Sequence, residues 1–95
     1  MASITVSFDH PEADDSALAR ATVVGTSAAG ILVQPGGEVE IDLAPSDYAV
    51  FVAVTDRTGT AWSVGVTATG GDSQTKKGKG PDTVMFSHVS VKEDE

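Results

Sequence analysis

The chain has no cysteine. No disulfide can staple it, and no thiolate can act as nucleophile or metal ligand. Aromatic residues are scarce, with one Trp, one Tyr and three Phe in 95 residues. Leucine is sparse too, so the apolar content rests on Val and Ala. A core of that kind gathers many small contributions, at roughly 25 cal/mol per Å² of apolar surface buried. Lys and Arg together number 6 against 14 Asp and Glu, for a net charge of −8. Nucleic acid as a partner calls for a basic stripe that this composition does not supply. Docking on an anionic membrane is disfavoured for the same reason. With 2 histidines and no cysteine, the ligands of a typical zinc site are lacking. No apolar run approaches the length of a membrane-spanning helix. The first residues have neither the basic nor the apolar region of a signal peptide. Neither segment is therefore expected, and the lack of cysteine favours the reducing cytoplasm.

What is present is a series of β signals. Val, Thr and the aromatics suit a pleated, half-buried surface. Residues 3–8 alternate, with Ile4, Val6 and Phe8 on one face and Ser3, Thr5 and Ser7 on the other. Residues 31–34 form a short strand, and Pro35, Gly36 and Gly37 a turn. Residues 38–43 alternate without fault, Val39, Ile41 and Leu43 inward and Glu38, Glu40 and Asp42 outward. Residues 48–55 differ. Tyr48, Val50, Val52 and Val54 line one face, while Ala49, Phe51 and Ala53 make the other apolar too. That pattern predicts a central strand covered on both sides. Asp56, Arg57, Thr58 and Gly59 read as a hairpin turn into a strand over 60–69. Residues 83–92 read as the last strand, its alternation changing phase near Ser87 and His88 as a β-bulge would require.

Two segments are less direct. Between residues 9 and 24, Asp9 and Glu12 have the spacing of a capping box, which admits one short helix near 10–20. A loop followed by a strand over 17–24 is preferred, because the Ala-Thr-Val-Val run is β-prone and the neighbours are strands. Residues 70–82 read as a long mobile loop, rich in Gly and carrying Lys76, Lys77 and Lys79. Together these signals predict an all-β fold: a single antiparallel β-sandwich of Ig-like or jelly-roll type over 1–95, with about seven short strands.

Candidate chemistry is thin. Asp9, Glu12, Asp14 and Asp15 form the densest oxygen cluster and could hold Ca²⁺. Their spacing matches no calcium-loop motif, so solvated acids are the plainer reading, and no cofactor is expected. His88 has no serine and carboxylate in a nucleophile–base–acid order around it. Lys76, Lys77 and Lys79 beside glycines lack the order of a phosphate loop but could meet an anionic ligand. Trp62 in a sandwich is ordinarily core. Exposed, it would be a stacking platform for a sugar ring, with Asp56, Arg57 and Thr60 nearby. No catalytic constellation emerges. The expected function is a non-enzymatic recognition module for a glycan or protein ligand. The alternatives are a structural subunit of a symmetric homo-oligomer joined through strand edges, or an acidic inhibitor of a basic protein surface.

Overall fold

A computed structural model of the chain describes residues 2–11 and 17–93. Eight strands follow one another: β1 (Ser3–Asp9), β2 (Ala17–Val23), β3 (Ile31–Val33), β4 (Gly37–Asp42), β5 (Ser46–Asp56), β6 (Ala61–Ala68), β7 (Ser73–Lys79) and β8 (Asp82–Val91). They form two four-stranded sheets, ordered β4-β1-β6-β7 and β3-β2-β5-β8. Every pairing is antiparallel. The expected all-β sandwich is what the chain adopts.

Alternation explains which side of each strand faces in. Ile4, Val6 and Phe8 of β1 are buried, as are Val64 and Val66 of β6. Opposite them lie Ala19 and Ala21 of β2, Val50, Val52 and Val54 of β5, and Phe86 of β8. The small alanines let the two layers close around Phe8 and Phe86, two of the largest fully buried side chains. On β4, Ile41 is buried and Glu38, Glu40 and Asp42 point to solvent, as their period-two pattern requires. The crossing from β4 to β5 is pinned by Tyr48, whose hydroxyl donates to the Ala44 carbonyl at 2.6 Å.

The phase change in the last strand is a bulge. Tyr48 pairs with Val89 but Val50 pairs with Phe86, so β8 has one residue more than β5 over this interval. The bulge turns His88 out to solvent while Phe86 stays buried. His88 therefore does not share the face of Phe86, as simple alternation would have it.

The strand preferred over 17–24 is present as β2, and no described residue is helical; residues 12–16 of the helix alternative lie outside the described residues. Three other expectations are corrected. Residues 70–82 are not one long loop. They hold β7, which pairs along β6 from Ala61 opposite Lys79 to Thr67 opposite Ser73. This is the eighth strand. The turn at Asp56–Gly59 is not a hairpin either, because β5 and β6 lie in different sheets and the turn crosses between them. Finally, β5 is central but covered on one side only. Phe51 and Ala53 are exposed on its outer face.

Candidate functional site

One end of the sandwich collects most of the polar side chains singled out above. The registers bring there the end of β1 at Asp9, the end of β5 at Asp56, the start of β6 at Ala61 and the end of β7 at Lys79. Beneath this end the packing is tight. The Trp62 ring is 3% exposed, and its Nε1–H donates to the Gly80 carbonyl at 2.9 Å. Phe8 meets it edge-on, with ring centroids 6.1 Å apart at 68°. Gly78 lies against the indole so closely that a Cβ there would be 2.4 Å from Trp62 Cη2. The glycine among the lysines thus admits the tryptophan. Trp62 is core, and at 3% exposure its ring offers no stacking platform.

Asp56 also has an internal role. Its Oδ1 accepts the Thr58 backbone N–H at 2.8 Å and the Thr58 hydroxyl at 2.7 Å. Thr58 Oγ1 in turn accepts the Thr60 N–H at 3.1 Å. These bonds fold the crossing turn locally, as Asx-type turns do. The other carboxylate oxygen, Oδ2, faces His10 Nε2 at 3.5 Å, and both side chains are enclosed. Burial pushes the Asp56 carboxyl up, but the hydrogen bonds from the Thr58 hydroxyl and backbone and from His10, together with the charge of His10, outweigh it. The carboxyl ends below its ordinary value. Arg57 is exposed at the turn and Thr60 half-buried beside it. These residues organise a turn and do not converge with Trp62 on a ligand surface.

The three lysines do not converge. Lys77 pairs opposite Ser63 and Lys79 opposite Ala61, both on the outer face of the β4-β1-β6-β7 sheet. Lys76 projects from the other side of β7, its Nζ 5.9 Å from the centre of the Phe86 ring. Alternation along a strand divides what a loop could have gathered. Of the proposed calcium ligands, Asp9 is exposed at the end of β1, whereas Glu12, Asp14 and Asp15 lie outside the described residues. Among the described residues, no three His, Asp or Glu side chains come close enough to hold a metal ion. His88 has Asp47 for a neighbour, 3.8 Å from its Nε2, both exposed.

Register also brings together residues that spacing in the sequence did not connect. Asp9 pairs with Ser63, and Ser63 with Lys77. This row closes one groove, of about 390 Å³, lined by Asp9, Pro11, Ala61, Trp62, Ser63 and Lys77. A second groove of about 330 Å³ lies on the other side of Asp9, between Ser7, Phe8, Gly36, Gly37 and Glu38. The two share Asp9 as a common wall. Around that carboxylate stand two serines, one lysine and a second carboxylate, with Pro11 and Ala61 as apolar floor. Only the strand registers reveal this grouping, because its members come from four separate segments. Comparison with protein-family models, curated proteins and solved structures finds no match to this chain.

Proposed function

We propose that this protein is a non-catalytic recognition module, and that its ligand is a glycan held in the paired grooves around Asp9. The observation that carries the reading is the convergence of Asp9, Ser7, Ser63, Lys77 and Glu38 on two adjoining grooves at one end of the sheet. Carboxylates accept hydrogen bonds from sugar hydroxyls, an ammonium donates them, and serines do both. Pro11 and Ala61 offer apolar contact to ring C–H groups. The base does not need to move on binding, since Trp62 is fixed by its bond to Gly80 and its packing on Gly78. Nothing in the group set suggests a reaction. His10 and Asp56 are enclosed and tied to the turn, away from the grooves' lining.

A glycan array probed with the labelled chain tests the reading. Binding to a defined saccharide set should fall about tenfold or more in Asp9→Ala and Lys77→Ala, since each leaves sugar hydroxyls without partners. Binding that survives both substitutions, or an array blank at every concentration tried, would remove the glycan.

A second reading, subunit of a homo-oligomer, is favoured by one specific observation. The strand β5 is apolar on both faces, and one of those faces is bare.

A further inference from the structure

We infer that the outer face of the β3-β2-β5-β8 sheet is covered by the same face of a second copy of this chain, related by a two-fold axis running across the strands at the level of Val50. The inference rests on the homo-oligomer reading and not on the grooves, which lie on the other sheet. Among the described residues, four large apolar side chains are exposed: Val24 at 47%, Leu32 at 44%, Phe51 at 37% and Met85 at 45%. All four belong to this one sheet or its margin. Phe51 pairs with Met85 on one side and Thr22 on the other, and Leu32 pairs with Arg20. Val24 follows directly on β2 and bonds to the Ala49 carbonyl. Exposed apolar side chains gathered on one sheet face in this way mark an interaction surface.

Charge narrows the occupant. The chain carries a net charge of −8, so two copies repel unless their acids are kept apart. Glu38, Glu40 and Asp42 lie on the outer face of the opposite sheet. Packing through the β3-β2-β5-β8 sheet leaves those acids on the two outer surfaces of the pair. The same face carries Arg20, which has no carboxylate partner among the described residues. It also carries Asp47, exposed near the far end of β5.

Register supplies the symmetry. Arg20 is level with Ala53, and Asp47 lies on the adjacent strand β5. Val50 is midway between Ala53 and Asp47 in the sequence. A two-fold axis across the strands at Val50 therefore sets each Arg20 level with the partner's Asp47. The lateral offset is one strand spacing, about 4.8 Å, which an arginine side chain spans. The same operation lays Phe51 over the partner's Ala49, large against small, as close packing requires. It also keeps the two Arg20 side chains some 20 Å apart along the strands. Four strands at about 4.8 Å by seven residues at about 3.3 Å give a projected footprint near 440 Å² per chain. Doubled to about 880 Å², that is below the size of a stable interface and within that of weak, transient ones, so the dimer is weak.

Sedimentation equilibrium of the full chain, from micromolar to millimolar, tests this. The expected mass rises with concentration towards twice the 9.7 kDa of one chain. Phe51→Asp should weaken association about tenfold or more. Arg20→Asp and Asp47→Arg should each weaken it, and the double variant carrying both should restore it. Circular dichroism checks that each variant is folded. The charge pair keeps the test sound if Phe51→Asp misfolds, since both of its positions are exposed. Asp9→Ala should dimerise as the parent does, which separates this inference from the grooves. A strict monomer at millimolar concentration overturns the inference. So does a dimer indifferent to these charge reversals, or a double variant no better than either single one.

Discussion

Replacing Gly78 by alanine would put a methyl carbon 2.4 Å from Cη2 and 2.6 Å from Cζ2 of Trp62. No real side-chain contact is that short, and the atoms in the way belong to a rigid ring, not to the end of a flexible chain. The indole must shift or β7 must lift from β6. Overpacking of this kind costs about 1–3 kcal/mol. A shift of the ring also loosens the Nε1–H bond to Gly80, a net contribution of about 1 kcal/mol. The expected loss is thus about 2–4 kcal/mol. For a domain of this size each kcal/mol moves the melting temperature by about 4–8 °C. Urea unfolding followed by the fluorescence of Trp62 reads the loss as a lower midpoint at unchanged slope. The sign is decisive. Were residues 70–82 a loop, the same change would restrict the unfolded chain and stabilise by about 0.4–1 kcal/mol. A neutral or stabilised Gly78→Ala would refute both the strand and the tryptophan packing derived from it.

Two further outcomes follow from the same geometry. Tyr48→Phe removes the hydroxyl that donates to Ala44 and should cost about 0.5–1.5 kcal/mol by thermal unfolding, with the fold retained; no loss at all would mean the bond does not pin the β4–β5 crossing. Asp56 contributes stability that is complete above the ordinary Asp value of 3.8 and is lost as pH falls through its own lower pKa. The urea midpoint of Asp56→Asn should therefore trail the parent's at neutral pH and approach it in acid, and a gap independent of pH would contradict the role given to the carboxylate.

The parts of the fold that were legible are those where period and burial agree. β1 and β4 alternate cleanly, each with one dry and one wet face. The bulge at Ser87 and His88 was visible because an extra residue reverses the phase of every side chain after it. β7 was not legible. Its inward positions are Gln74, Lys76 and Gly78, so no apolar period marks it, and it owes its conformation to pairing with β6. Gly78 looked like flexibility and is instead a space for Trp62. The turn at Asp56 read as a hairpin because a turn sequence specifies local geometry, not which sheet the next strand joins. β5 was read as covered on both sides. Both of its faces are apolar, which is the pattern behind that expectation, but Phe51 and Ala53 on the outer face are exposed. The candidate site was hardly legible, since Ser7, Asp9, Ser63 and Lys77 meet through two strand registers. The core reading of Trp62 holds, and the alternative of a sugar platform around it does not, because the ring faces inward.

The most direct test of the recognition reading is a backbone ¹⁵N–¹H NMR titration of the intact chain with the saccharides that score on the array. It predicts saturable shifts centred on Ser7, Asp9, Ser63 and Lys77, while the amides around Phe51 and Met85 on the opposite sheet stay still. Saturable shifts centred elsewhere, or none with any saccharide at millimolar concentration, would contradict it.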